Sequence, residues 1–317
     1  MPHLLIAGKL HPAGLALLEG RDGLTYDLVQ EVSEESYAPL IHRADALVIR
    51  TQPLSEATIA KASGLKLVSR HGVGYDAVDI AALNSRQITL CVTGDVNSQS
   101  VAEHAMMLIL ASAKRLVRAD RSVREGRWGW RNALEAGEIS GKNLLIIGFG
   151  RSGRHLARMT QGFGMETRAY DPFLVKQGWP DVPVAPAASL AEALAWADVI
   201  SVHVPKAGSP IIGANEFALM KPGVIIVNTA RGGIVDEAAL VAALGTGRVG
   251  AAGLDVLDDE PPAKSHPLLA FDQVLLTPHI AGLTQPSAER MAVSSVQNVL
   301  DFFAGQLDSA LVVNRNF

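Results

Sequence analysis

The chain has 317 residues, 48% of them hydrophobic, a net charge of −4 and a single cysteine. That length favours two domains with sizeable cores, and the hydrophobic content excludes a disordered chain. With no basic run and no long uncharged apolar stretch, neither a nucleic acid, an anionic membrane surface nor a membrane span is expected.

Short apolar runs alternate with helical patterns from the start. Met1–Gly8 reads as a strand and Pro12–Glu19 as a helix, so no secretory leader is expected. Strands are predicted at Leu4–Ala7, Thr25–Val29, Ala46–Ile49, Leu67–Ser69 and Ile88–Val92. Helices fall between them, at Pro12–Glu19, Ser36–Arg43, Glu56–Ala62 and Ile80–Arg86. This rhythm is that of a five-stranded parallel α/β unit. Cys91 lies inside an apolar run and reads as a buried small hydrophobe, which fits a reducing, cytoplasmic setting.

Ser100–Leu116 reads as one long helix, apolar around most of its circumference. Such a helix is buried on most sides, which is ordinary across a subunit interface. Trp128 and Trp130 follow it, either as an arm clasping a partner or as local core. A homodimer is therefore expected.

The alternation then restarts. Strands are predicted at Asn143–Ile147, Glu166–Tyr170, Val199–Val204, Val224–Asn228, Ala251–Val256 and Val274–Leu276. Helices are predicted near Arg151–Gly162, Leu190–Trp196, Ala214–Met220 and Glu237–Leu244. A last helix, about Ser287–Ala304, would return the chain to the first domain. The simplest architecture is one domain inserted into another.

The second half opens on Gly148-x-Gly150-x-x-Gly153, between an apolar strand and a helix, with the next strand ending on Asp171. This is a dinucleotide-binding fingerprint in its required setting. Gly148 permits the tight turn, Gly150 admits the pyrophosphate to a helix N-terminus, and Gly153 lets helix and strand close up. Arg151 and Ser152 lie beside the phosphates. Asp171 would bind the adenosine ribose hydroxyls and repel a 2′-phosphate by a few kcal/mol at about 4 Å and a dielectric near 20, so NAD rather than NADP is expected.

Three polar residues follow late strands, where open α/β sheets bind ligands: Arg231, Glu260 and His279. Singly, each has a plain structural alternative: a surface ion pair, a loop acid, a satisfied core histidine. Together they fit one chemistry. Arginine holds a carboxylate by two points, and histidine exchanges the proton of the neighbouring hydroxyl. A carboxylate on the other ring nitrogen orients the imidazole. No metal-ligand pattern is present.

On these motifs the chain resembles the D-isomer-specific 2-hydroxyacid dehydrogenases over nearly its whole length, with phosphoglycerate-dehydrogenase-like members nearest. The resemblance rests on Gly148–Gly153 with Asp171, His203-Val204-Pro205-Lys206, Met220–Gly223 running through Asn228–Asp236, Gly253–Pro262 and Thr277–Ile280. It implies an α/β fold in which a Rossmann domain (99–285) is inserted into a flavodoxin-like substrate domain (1–98 and 286–317). It implies Arg231 on the substrate carboxylate, Glu260 and His279 as the acid–base pair, and Asp255 on the nicotinamide amide. His203, Val204, Pro205, Thr229, Ala230 and Gly282 would line the cofactor. His71-Gly72-Val73-Gly74 matches the family's substrate loop, whose N–H groups share the carboxylate. Val101–His104 matches the start of its interdomain and dimer helix, which makes His104 structural.

Two positions depart from the family pattern: Ser152 stands for a bulky aliphatic, and Ala281-Gly282-Leu283-Thr284 for a run of small residues. Leu283 at the mouth would alter substrate preference. The expected substrate is a small 2-hydroxy or 2-oxo acid such as 3-phosphoglycerate. Arg50, with Arg70 and His71, would hold an anionic far end, or would make domain-closing ion pairs. If Arg50 and Arg70 make such pairs, a neutral tail, shaped by Gln52 and Leu283, is favoured. A hydroxypyruvate or glyoxylate reductase, and an NAD(H)-sensing corepressor-like binding protein, are the alternatives.

Overall fold

The computed structural model describes residues 1–206 and 208–314. The chain divides into two compact units. Unit 1 is Met1–Asn97 with the chain from Leu283 onward, and unit 2 is Ser98–Gly282. The second boundary falls three residues before the expected one, because Thr284 already caps the last helix of unit 1, its Oγ1 accepting from the Ser287 N–H.

Unit 1 carries β1 (His3–Ala7), β2 (Thr25–Val29), β3 (Ala46–Ile49), β4 (Leu67–Arg70) and β5 (Thr89–Cys91), all parallel in the order β2-β1-β3-β4-β5. Apart from the half-buried His3, β1 and β3 are wholly buried, as in a sheet covered on both faces. One face packs on Tyr37, Ile41, Leu54, Ile59 and Leu83. The other packs on Ala292, Val296 and Val299 of the Gln285–Phe303 helix. Gly14 lets the first helix meet that last one, since a Cβ there would sit 2.9 Å from the Ala292 carbonyl. This strand order is the flavodoxin-like one.

Unit 2 carries β6 (Asn143–Ile147), β7 (Glu166–Tyr170), β8 (Ala185–Pro186), β9 (Val199–Val202), β10 (Val224–Asn228), β11 (Val249–Leu254) and β12 (Val274–Leu276). The order is β12-β11-β10-β9-β6-β7-β8, again parallel, and it reverses between β6 and β9. That is the doubly wound Rossmann arrangement, with its ligand crevice at the reversal.

Three sequence expectations need correction. The strand Val199–Val204 ends at Val202, because its neighbour β6 turns away at Gly148 once the His203 N–H has bonded to the Ile147 carbonyl. β11 starts and stops two residues earlier than expected. The long helix Ser100–Leu116 is two, Ser98–Ala113 and Leu116–Arg124, broken where Arg115 takes a left-handed conformation and donates to the Gly250 carbonyl. Most of the first helix is buried inside its own unit: Ile109 packs with Leu144 and Ile146. The exposed apolar surface lies at Met107, then on Leu116, Val117 and Val123, and beyond them on Trp128 and Leu134. Trp128, in a 3-10 turn, is 66% exposed and is not core.

Candidate active site

Two of the three glycines of the dinucleotide loop leave no room for a side chain. Gly148 has φ +92°, and a Cβ there would lie 2.6 Å from the His203 carbonyl oxygen. A Cβ on Gly153 would lie 2.4 Å from the Gly148 carbonyl oxygen. Gly150 is different: open space surrounds its Cβ position, and as N-cap of the Arg151–Gln161 helix it brings no side-chain cap. The helix N-terminus therefore keeps unbonded N–H groups and its positive end toward an open space, which suits a pyrophosphate. Arg151 is exposed there and Ser152 half-buried.

Asp171 follows β7, caps the Pro172–Gln177 helix and is half-buried. One oxygen accepts from the Phe149 N–H (3.0 Å) and the other from the Leu174 N–H (2.9 Å). The acid thus ties the glycine loop to the following turn and is held as a fixed acceptor. Across the crevice, His203 Nε2 bonds with Ser201 Oγ (2.8 Å), and burial draws its pKa down to about 4, so the ring is neutral. Val204 is half-buried and Pro205 exposed at the rim, with Ala230 buried beneath. Thr229 is 7% exposed and its hydroxyl meets no hydrogen-bond partner.

Arg231, Glu260 and His279 follow the ends of β10, β11 and β12. Asn228 closes the turn after β10: its amide donates to the Arg231 carbonyl and accepts from the Ala230 N–H. Arg231 Nη1 in turn bonds the Ala230 carbonyl (2.7 Å). Gly232 lets this turn press onto the loop after β11, because a Cβ would fall 2.0 Å from the Leu257 carbonyl oxygen. Glu260 in that loop accepts from the Leu257 N–H (3.0 Å) with one oxygen and meets His279 Nδ1 at 2.7 Å with the other. The second ring nitrogen, Nε2, is left for a substrate, and the histidine side chain is 47% exposed.

Asp255 organises the histidine segment. It is 1% exposed and accepts from Thr277 Oγ1 (2.5 Å), the Ile280 N–H (2.9 Å) and the Ala281 N–H (2.8 Å). His104 joins through Thr277 Oγ1 (2.9 Å). His279, between these anchors, has φ +53°, a conformation a histidine holds only when its surroundings fix it. Asp255 thus holds Thr277 and the two residues after His279 in place, alongside the contact to a nicotinamide amide that the resemblance implies for it. Thr277, Asn228 and Gly232 were not singled out in the sequence, although each sits in a motif run at a strand end. Gly282 follows the buried Ala281 and is half-buried.

In unit 1, Arg50 follows β3 and His71 follows β4. Arg50 Nη1 donates to the Lys9 carbonyl (2.6 Å). His71 is buried, and burial with the charges of Arg50 and Arg70 pushes its pKa down to about 3. Val73 is exposed and Gly74 half-buried on the loop beyond. Among the described residues no cluster of His, Cys, Asp and Glu could hold a metal ion, and no helix is long and apolar enough to cross a membrane.

Residues 106–281 match the family model described as "D-isomer specific 2-hydroxyacid dehydrogenase, NAD binding domain". The chain belongs to this family. It is 39% identical, over 90% of its length, to a D-3-phosphoglycerate dehydrogenase of Archaeoglobus fulgidus, of which the match covers 54%. The chain thus spans about half the length of the curated relatives it matches. Its fold superposes on the TT0316 protein of Thermus thermophilus with a TM-score of 0.89, at 31% identity and over 98% and 99% of the two chains. A D-lactate dehydrogenase from Aquifex aeolicus, solved with NAD and lactic acid, gives a TM-score of 0.85 at 28% identity, over 99% and 100% of the chains.

The cofactor of this family domain is NAD, and the residues present fit it. Gly150 leaves room at an uncapped helix N-terminus, Asp171 offers a fixed carboxylate for ribose hydroxyls, and the buried Thr229 hydroxyl lacks a hydrogen-bond partner.

Proposed function

We propose that the protein is an NAD-dependent D-2-hydroxyacid dehydrogenase, or 2-oxoacid reductase, acting on a small acid. The observation that carries this is the His279–Glu260 pair at 2.7 Å, on the same sheet whose strand ends carry Arg231 and the dinucleotide loop. NAD, when bound, supplies or accepts the hydride. Arg231 binds the C1 carboxylate. Glu260 accepts the Nδ1–H hydrogen bond and leaves His279 Nε2 to exchange a proton with the C2 oxygen, stabilising the imidazolium as it forms. Asp255 and Thr277 hold the histidine segment in place while this happens. In unit 1, the Val73 and Gly74 N–H groups are donors for an anionic ligand, and Arg50 admits a second negative charge at the far end, as in 3-phosphoglycerate.

A hydroxypyruvate- or glyoxylate-type substrate uses the same C1 and C2 chemistry. A dimer through the exposed apolar surface of unit 2 and a cytoplasmic location belong to the same proposal. The buried Cys91, its thiol pushed up to about 11 by burial, has no redox part in it. The test is NADH oxidation with glyoxylate, hydroxypyruvate, phosphohydroxypyruvate and phenylpyruvate. Turnover of at least one acid at a kcat above about 1 s⁻¹ is expected. Tight NADH binding without turnover of any acid would establish a sensor instead.

A further inference from the structure

The loop that carries Glu260 has little packing to hold it. From Asp258 to Ser265 every residue but Pro262 is exposed. A segment so poor in buried contacts opens easily, so its polar ties decide where its side chains stand. Two of those ties end on one carboxylate. Glu237, the first residue of the Glu237–Gly245 helix, has a side chain only 16% exposed. Its Oε1 accepts from the Asp258 N–H (2.8 Å), and its Oε2 meets His266 Nε2 at 2.9 Å. Asp258 and His266 are the two feet of the loop, and both stand on Glu237.

The feet are themselves fixed. Asp258 Oδ1 accepts from the Gly233 N–H (2.6 Å), in the turn that carries Arg231. His266 caps the short Pro267–Ala270 turn, its Nδ1 accepting from the Leu268 N–H (3.4 Å), and Leu268 is fully buried. With Nδ1 an acceptor, the ring proton lies on Nε2 and is donated to Glu237. The helix that begins at Glu237 is capped by Asp236, whose Oδ1 takes the Ala239 N–H (2.8 Å). The Glu237 carboxylate is thus turned to the loop rather than to its own helix.

We infer that Glu237 is a positioning residue for the acid–base pair. By holding both feet of the loop it keeps Glu260 where one oxygen takes the Leu257 N–H and the other meets His279 Nδ1. This rests on the 2-oxoacid reductase function proposed above. Glu237 exchanges no proton in the reaction; it acts through Glu260. A carboxylate that drifts from the imidazole no longer orients it, and a displacement of about 1 Å costs up to about a hundredfold in rate.

The experiment is a double-mutant cycle of Glu237→Ala with Glu260→Ala. It is read with NADH and whichever of glyoxylate, hydroxypyruvate, phosphohydroxypyruvate and phenylpyruvate wild type reduces fastest. Glu237→Ala lowers kcat about ten- to a hundredfold and changes KM for the acid less than kcat. Its kcat–pH profile moves in the same direction as that of Glu260→Gln. In the Glu260→Ala background the same substitution costs less than about threefold more, because no carboxylate is left to position. Glu237→Gln, which keeps an oxygen for the Asp258 N–H, loses less than Glu237→Ala. Losses that multiply in the double variant overturn the inference, as does a kcat for Glu237→Ala within about threefold of wild type. If Glu237→Ala does not fold, His266→Ala, which frees one foot only, takes its place in the cycle. If wild type turns over no acid, the reductase function fails separately, and amide exchange decides the role of Glu237. The Leu257 N–H, which Glu260 holds in wild type, then exchanges faster in Glu237→Ala if Glu237 positions Glu260; an unchanged rate rejects it.

Discussion

The C-terminal edges of the two sheets solve opposite problems. In unit 2, nearly every polar group at the edge is bound to another: Asn228 to its own turn, Glu260 to Leu257 and His279, Asp255 to Thr277 and two backbone N–H groups. In unit 1, the corresponding edge carries a buried Gln52 amide with no partner and an Arg50 with a single carbonyl contact. The difference matches what each edge is proposed to do. A proton-transfer group must stand in one orientation before the substrate arrives, and internal hydrogen bonds provide that. A recognition group such as Arg50 instead needs donors left over for its ligand.

The sharpest way to break this comparison is at His279. His279→Asn removes the exchanging nitrogen and should lower kcat by about 10²- to 10⁴-fold while leaving NADH affinity nearly intact. Glu260→Gln should cost less, because the ring keeps its hydrogen-bond partner and loses only the opposing charge. Stopped-flow turnover and NADH fluorescence titration check both. A rate for His279→Asn within threefold of wild type would remove the histidine from the mechanism.

The two edges were not equally legible in the sequence. The parallel strands were readable because buried-on-both-faces segments such as Ala46–Ile49 and Val224–Asn228 are unbroken apolar runs bounded by polar turns. Gly148–Gly153, Arg231, Glu260 and His279 were readable because their chemistry fixes both residue type and strand-end position. Asp255 was legible as a residue, but its bonds to Thr277 and to the N–H groups of Ile280 and Ala281 were not, because they depend on the path of a loop. Ile109 and Met107 look alike in a helical pattern, yet one is core and the other is exposed, because only the tertiary packing of the Ser98–Ala113 helix chooses its buried face. The break at Arg115 had no signal either, since left-handed arginine is rare and is held here by its bond to Gly250.

The units also differ in their surfaces. Unit 2 exposes Met107, Leu116, Val117, Val123, Trp128 and Leu134 within one stretch of chain. Where such residues form a contiguous patch they mark an interaction site. The proposed dimer makes Trp128 an anchor, and Trp128→Glu should raise the dimer dissociation constant at least a hundredfold, about 2.7 kcal/mol. Sedimentation at micromolar concentration reads this directly. A wild-type protein sedimenting only as a 33.5 kDa species would refute the dimer.

The smallest effect separates the two edges by pH. Each holds one neutral histidine: His71 in unit 1, with its pKa pushed to about 3 by burial and by Arg50 and Arg70, and His203 in unit 2, pushed to about 4 by burial. In the unfolded chain both titrate near 6.5. Between that value and the folded ones the unfolded state binds more protons, so stability is fully present above about pH 6.5 and is lost as the pH falls. At pH 5 the loss is at most about 2 kcal/mol for each histidine. Glu34 and Asp198 have pKa values lowered below the ordinary carboxylate range, so their contributions disappear only in more acid solution. Urea unfolding at pH 7.5 and pH 5.0, at one protein concentration, should therefore show a lower midpoint at pH 5.0. His71→Gln and His203→Gln should each remove part of that difference, the first reporting on unit 1 and the second on unit 2. Equal midpoints at both pH values in wild type would mean that neither ring is held neutral, and with them would go the account of His71 as an uncharged neighbour of Arg50.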